Sequence, residues 1–352
     1  MSATIVGRLN CPIPVTDHDR VVLGHGSGGK LSASLLKQHF LPYLQSDALR
    51  QLGDGAVVNA GSTRVVLSTD TFVVNPLEFP GGDIGTLAVN GTVNDLSMMG
   101  ATPCYLTVGF IIEEGLPLET LDRIVASMAR AASIAGVQVV TGDTKVVERG
   151  KGDGLFINTT GLGLANSDFC PSPDGVRAGD VVLVSGAIGV HGITILSARE
   201  GLEFEADLAS DTACLFPLVQ VLRHATNNKV GALRDPTRGG VASALNEIAA
   251  TSRVGIVLDE SALPIPPAVA GACEMLGLDP LYVANEGNFI AFVPPHLADI
   301  ALDALRNHPL GRGAQRIGVA VSDHPGMVVM RTPLGGTRIV DMLPGDQLPR
   351  IC

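Results

Sequence analysis

The stretch FPGGDIGTLAVNGTVNDLSMMGA, residues 79–101, carries the reading of the fold. From Asp83 to Met99 it predicts a helix, because Ile84, Leu87, Ala88, Gly91 and Met98 recur at the spacing that puts side chains on one helix face. Asp95 falls in the middle of that apolar face. A bare buried carboxylate costs several kcal/mol or more, so it needs a cation or hydrogen-bond donors. An ordinary Asp–Arg pair would also satisfy it.

Outward from this helix the same alternation continues. Thr63–Ser68, Tyr105–Ile112, Val137–Val140 and Leu155–Thr160 are predicted strands, and Glu119–Ala135 is a second helix. A turn at Arg177–Gly179 opens another mixed series. Its strands are predicted at 181–185, 254–258, 289–293 and 316–321, and its helices near 191–200, 212–225, 239–252, 267–276 and 295–307. The expected organisation is α+β, with an N-terminal arm over 1–45, domains over 46–176 and 177–340, and a mobile tail over 341–352.

Composition narrows the function. With 352 residues, 46% hydrophobic and only 4% aromatic, the chain can fill two aliphatic cores. A formal net charge of -11 argues against a nucleic-acid partner, which needs a basic footprint. No run reaches the roughly 18 apolar residues of a spanning helix, and the N-terminus lacks a signal-peptide pattern, so a soluble cytoplasmic protein is expected. The cysteines at 11, 104, 170, 214, 273 and 352 have neither disulfide nor zinc spacing.

Three more aspartates sit in similar settings: Asp54 in QLGDGAVV, Asp70 in VVLSTDT and Asp143 in VVTGDTK. Asp70 and Asp143 each follow a β-branched run and precede Thr, which predicts a strand end. Each alone reads equally as a turn or cap residue. With Asp95 they form a candidate Mg²⁺ set, since hard divalent ions take carboxylate oxygens and act together with phosphates.

Two glycine-rich segments supply candidate phosphate loops. His25, Gly26, Ser27, Gly28, Gly29 and Lys30 form HGSGGK, which lacks Walker spacing but offers backbone amides and a cation. Its alternative is a flexible loop. Thr237, Gly239 and Gly240 in RDPTRGGVASALNEIA precede an apolar-periodic helix whose N-terminus favours phosphate, with ordinary capping by Asp235 or Thr237 as the alternative. Lys145 reads as a charge-neutralising lysine or a surface one. Glu286 reads as a proton acceptor or a turn residue. Cys352 ends a polar, Pro- and Gly-containing tail that can reach about 30 Å from Pro344.

In order, HGSGGK, STDT, the 79–101 stretch, IIEEGLPLETL, TGDTKVV, RDPTRGGVA, ANEG and the terminal PRIC closely resemble the HypE family of hydrogenase maturation factors. That family lies in the aminoimidazole ribonucleotide synthetase-like, or PurM-like, ATP-binding superfamily. The resemblance implies two tandem PurM-like domains and a homodimer whose first domains share a β-barrel. ATP is then expected near the dimer interface.

The resemblance further implies ATP-dependent dehydration of an S-carbamoyl group on Cys352 to a thiocyanate, which supplies cyanide for the iron of nickel-iron hydrogenases. It places Mg²⁺ on Asp54, Asp70, Asp95 and Asp143, and nucleotide at HGSGGK, Asn94, Thr144, Thr237, Gly239 and Gly240. Lys145 and Glu286 become the catalytic candidates beside Cys352. Expected partners are a HypF-like carbamoyltransferase and a HypC-HypD-like scaffold that accepts cyanide.

One departure is Gly53 in LGDGA, where many superfamily members carry a second acid, which bears on the number of metal ions. A small-molecule kinase or synthetase of the same superfamily, or a non-catalytic thiol carrier, are the competing readings.

Overall fold

The structure, a computed structural model, describes residues 19–44, 46–202, 208–343, 345, 348 and 350–352. Cys11, the first part of the expected N-terminal arm, and Pro344 and Pro349 of the tail lie outside the described residues.

After a short helix α1 (Lys30–Leu35), the first half builds β1 (Ala56–Ala60), β2 (Thr63–Phe72), a small hairpin of β3 (Glu78–Phe79) and β4 (Gly82–Asp83), and α2 (Ile84–Met98). It continues with β5 (Thr102–Glu113), α3 (Leu118–Ala135), β6 (Gln138–Val147) and β7 (Leu155–Leu164). The sheet order is β1-β2-β7-β5-β6. Only β5 and β6 pair in parallel, and the helix α3 makes the crossover that such a pair requires.

Helix α2 starts where Asp83, in extended conformation, accepts the Thr86 amide at 2.8 Å. Ser127 of α3 donates to the same carboxylate at 2.6 Å, so the cap also ties the two helices together. The sequence predicted one apolar face on α2, but the helix is buried on nearly every side. It lies between the sheet and α3, and its C-terminal part meets the second half of the chain. Ile84, Leu87, Leu96 and Met98 are almost wholly buried, each contributing about 1.5–3 kcal/mol.

The second half contains β8 (Val181–Val184), α4 (Val190–Glu200), α5 (Phe216–Ala225), β9 (Ala232–Arg234), α6 (Gly240–Ser252) and β10 (Gly255–Asp259). It closes with α7 (Pro267–Leu276), β11 (Ile290–Val293), α8 (Ala298–Arg306), β12 (Gln315–Val321), β13 (Val328–Arg331) and β14 (Thr337–Ile339). Its sheet runs β14-β13-β10-β12-β8-β11-β9, with β10 and β13 the parallel pair. Strand alternation explains the double burial of the centre. Val182, Val184, Ile290 and Phe292 pack on one side with Val241, Leu245 and Ile248 of α6. Val181, Leu183, Ala291 and Val293 face α5 and α8 on the other.

The halves share a core. Phe72, Val108 and Ile157 of the first sheet cluster with Ile195, Cys214 and Ala284 of the second half, and with Ile351 and Cys352. The tail predicted as a mobile arm is therefore docked at its described end, with Ile351 3% and Cys352 8% exposed. Its apolar penultimate residue and its main-chain carbonyls, described below, hold it there. Among the described residues no helix is long and apolar enough to cross a membrane.

Candidate active site

The turn before β1, helix α2 and the β9–α6 junction bring three carboxylates together. Asp54, Asp95 and Asp235 have oxygens within 4.8 Å of one another. Ser68 of β2 lies 2.6 Å from Asp95 Oδ2 and 2.8 Å from the Asp54 carbonyl. The Ser68 hydroxyl, with one hydrogen, is shared between these two acceptors. Burial, then the charges of Asp235, Asp70 and Asp54, push the Asp95 carboxyl well above its usual range. Burial likewise raises Asp235 to about 6.

Arg234 pairs with Asp54 at 2.8 Å and with Glu247 at 2.6 Å, so one cation is divided between two acids. Burial nonetheless raises Asp54, with Asp235 and Glu247 adding to the effect against Arg234. This is a crowded, under-neutralised set of hard oxygen donors, which suits Mg²⁺. Asp235 was missed as a ligand because, next to Pro236, it reads as a cap. Arg234 was visible only as part of its motif.

Asp70 belongs to the same face. It projects from β2 toward α2, where a Cβ on Gly91 would lie 3.8 Å from its carboxylate. Asp143 does not. Its register partner on β5 is Gly109, on the sheet face opposite that of Asp70. There Asp143 is exposed and pairs with Lys145 at 2.5 Å, while Thr144 donates its amide to Asp143 at 2.8 Å. Within one chain Asp54, Asp95 and Asp235 gather beside Asp70, and Asp143, Thr144 and Lys145 lie apart from them. Neither Asp70 nor Asp143 ends a strand, since β2 runs to Phe72 and β6 to Val147.

Both glycine-rich segments line one cavity of about 210 Å³, together with Asp235, Arg238 and Ser243. They do so differently from the sequence expectation. The amides of His25, Ser27, Gly28, Gly29 and Lys30 are already bonded, to Val22 O, Gly24 O, Ser32 Oγ, Ser27 Oγ and Leu343 O. This tight turn uses its own donors, and Lys30 pairs with Asp341 at 2.6 Å. Its glycines instead permit close approach: a Cβ on Gly28, which sits at φ +74°, would come within 2.7 Å of Arg238 O. Gly239, at φ +76°, is pressed the same way against Ser243. The Gly240 amide bonds Thr237 O at 2.9 Å. Ser243 Oγ is buried and has no partner, and it lines this cavity together with Arg238. Its serine was not singled out because it sits inside a regular apolar helix pattern.

Asn94 is also reassigned. Its amide donates to Ala213 O at 3.0 Å and accepts from the Leu215 amide at 2.8 Å, so it staples α2 to the second half and is 1% exposed. Glu286 lies beside this staple. Its amide donates to Asp211 at 3.1 Å, and its own Oε1 is buried without a partner. Burial first, then Asp235, Asp70 and Asp211, raise its carboxyl well above the usual range.

Cys352 acts on this region through its charge. That charge is the foremost influence raising Arg238, ahead of Asp70, Glu286 and Asp95. Arg238 thus links the tail electrostatically with the carboxylates.

Residues 52–165 match the AIR synthase related protein, N-terminal domain, and residues 177–330 its C-terminal domain. Carbamoyl dehydratase HypE of Cupriavidus necator is 52% identical, over 100% of each chain. The chain belongs to the HypE family. A solved HypE-HypF complex superposes with a TM-score of 0.83 at 45% identity, covering 88% of this chain and 100% of that one. HypE in complex with ATP gives 0.80 at 50% identity, covering 95% and 100%. Two tandem PurM-like domains are thus the architecture of this HypE family member.

Proposed function

We propose that this chain is an ATP-dependent carbamoyl dehydratase that acts on its own C-terminal cysteine during hydrogenase maturation. The observation that carries the reading is the burial of Cys352, 8% exposed, in the core shared by the two halves of the chain, with its charge the foremost influence on Arg238. The ATP-bound HypE neighbour and the names of the relatives support it.

The chemistry balances on these groups. An amide oxygen leaves poorly until it is phosphorylated, so the γ-phosphoryl of ATP passes to the S-carbamoyl oxygen and ADP departs. Loss of both N–H protons, one to a base and one to the departing phosphate, then expels hydrogen phosphate and leaves the thiocyanate. The sum is S-carbamoyl plus ATP giving S-cyanate, ADP, phosphate and a proton. In this reading Glu286, whose Oε1 is buried without a partner, accepts a proton. Arg238 and the buried Ser243 hydroxyl, which line the cavity, hold phosphate oxygens in the same reading. The oxygens of Asp54, Asp95 and Asp235 fit Mg²⁺, with Asp70 beside them, and the ion would offset phosphate charge there.

The reading places a HypF-like carbamoyltransferase upstream, where it loads Cys352, and a cyanide-accepting scaffold of the HypC-HypD kind downstream. A homodimer through the first domains brings Asp143, Thr144 and Lys145 of one chain to the other's nucleotide. The test is intact-protein mass. Carbamoylated protein with Mg-ATP loses the mass of one water, and Cys352→Ala protein cannot be loaded or converted. An unchanged mass sinks the dehydratase reading in favour of a thiol carrier. Turnover of a free small molecule by Cys352→Ala supports the kinase reading.

A further inference from the structure

Three consecutive main-chain carbonyls at the chain end each meet a donor. Arg199 Nη2 of α4 donates to Arg350 O, His191 Nε2 of α4 lies 3.0 Å from Ile351 O, and the Val73 amide donates to Cys352 O at 3.0 Å. A carbonyl only accepts, so Nε2 of His191 carries the hydrogen. Ser210 Oγ, 2.7 Å from the other ring nitrogen, sets that tautomer by donating to it. His191 is fully buried and packs edge-on against Phe79 5.8 Å away, which fixes the ring plane. Arg199 is anchored at its other end by donating to Asn75 O at 2.8 Å.

The side chain of Arg350 adds a lateral hold. It pairs with Asp153, donates to Val73 O at 3.2 Å and lies over the Phe156 ring at 6.0 Å. Its φ of +56° bends the chain into this place. None of the three carbonyl contacts uses the cysteine side chain. They therefore set the register of the tail whatever group the sulfur carries.

We propose that His191 and Arg199 are positioning residues that, with the Val73 amide, clamp the carbonyls of residues 350–352 and so fix where the Cys352 sulfur meets the nucleotide. This rests on the dehydratase reading for its functional consequence but not for the clamp itself. The clamp reads backbone, so it serves the thiol, the carbamoylated and the cyanated forms alike. It commits α4 to the reaction although α4 offers no group to the reacting atoms.

The experiment uses the full chain and two readouts. The first is the alkylation rate of Cys352, with buried Cys273 as the internal control for unfolding. The second is single-turnover dehydration of carbamoylated protein followed by mass. In His191→Ala and Arg199→Ala, Cys352 labelling rises at least about tenfold while Cys273 stays protected, and dehydration slows by a similar factor with nucleotide affinity unchanged. His191→Gln, whose amide can still donate to Ile351 O, restores both. Arg350→Ala, at the chain end and outside the body of the fold, loosens the tail even if the α4 variants fail to fold. Unchanged Cys352 labelling in Arg350→Ala and in any α4 variant that folds overturns the clamp. Increased labelling in a protein that never dehydrates overturns the functional reading and leaves the clamp standing.

Discussion

At the scale of single residues, Glu286 and His191 show two outcomes of complete burial. Glu286 keeps an oxygen without a partner and an increased hold on its proton. A general base of this kind is worth about 10²–10⁴-fold, so Glu286→Gln is expected to slow single-turnover dehydration by that range while Cys352 remains protected from alkylation. Loss of protection instead would make Glu286 a packing residue. His191 is pushed the other way: burial lowers it from 6.5 to about 4, against the Ile351 carbonyl. Its folded value lies below its unfolded one, so its contribution to stability is complete above about 6.5 and is lost as pH falls toward 4. Between pH 7 and pH 5 wild type should lose roughly 2 kcal/mol more than His191→Gln, read from paired urea unfolding curves. Equal losses would mean that the imidazole titrates freely.

At the scale of elements, the entrance to α6 depends on backbone shape. Gly240 sits at φ +60°, and a Cβ there would lie 2.5 Å from Leu281 O and 2.8 Å from the Tyr282 carbonyl carbon. Gly61 has a similar φ of +65° but nothing within 4 Å. Gly61→Ala should therefore cost only the left-handed strain of about 1–2 kcal/mol. Gly240→Ala should cost more and also weaken ATP binding, measured by unfolding and nucleotide titration. Equal costs would mean that the α6 entrance yields freely. The glycines of 25–30 and 237–240 were read as two candidate phosphate loops, and residues of both line the same cavity. Their use for close packing was not legible, because it depends on Arg238 O and Ser243, which only the fold brings near. The helix limits read from apolar spacing, Asp83–Met99 and Glu119–Ala135, fall within one residue of α2 and α3. Strand β6 was read only at its start, Val137–Val140, since both of its faces are largely exposed and its residues show no inward and outward alternation. For the same reason Asp70 and Asp143, alike in sequence before Thr, end on opposite sheet faces. Register decides that, and register depends on which strand pairs with which.

At the scale of the whole molecule, the first sheet leaves one face uncovered. Leu67, Tyr105, Ile111 and Leu164 are 37%, 47%, 46% and 48% exposed, and all four project from that face. Strand β6 is its unpaired edge, with Val139, Val140 and Val146 exposed. A second copy covering this face would remove that apolar surface from water and close the edge. It would also resolve the separation of Asp143 and Lys145 from the other carboxylates, because each pair would then serve the partner's site. Mixing inactive Asp95→Asn protomers with inactive Lys145→Ala protomers tests this directly. In a heterodimer with shared sites, one site carries both lesions and the other carries neither. With half of the dimers mixed, dehydration should recover to about a quarter of wild type. If Lys145 acts within its own chain, every site keeps one lesion and the mixture stays inactive. Ile111→Lys supplies the second arm, since a charge on the covered face should shift the protein to monomer by light scattering and abolish activity together. A monomer that still dehydrates its own tail would show that the three carboxylates, Arg238 and Glu286 suffice without a partner.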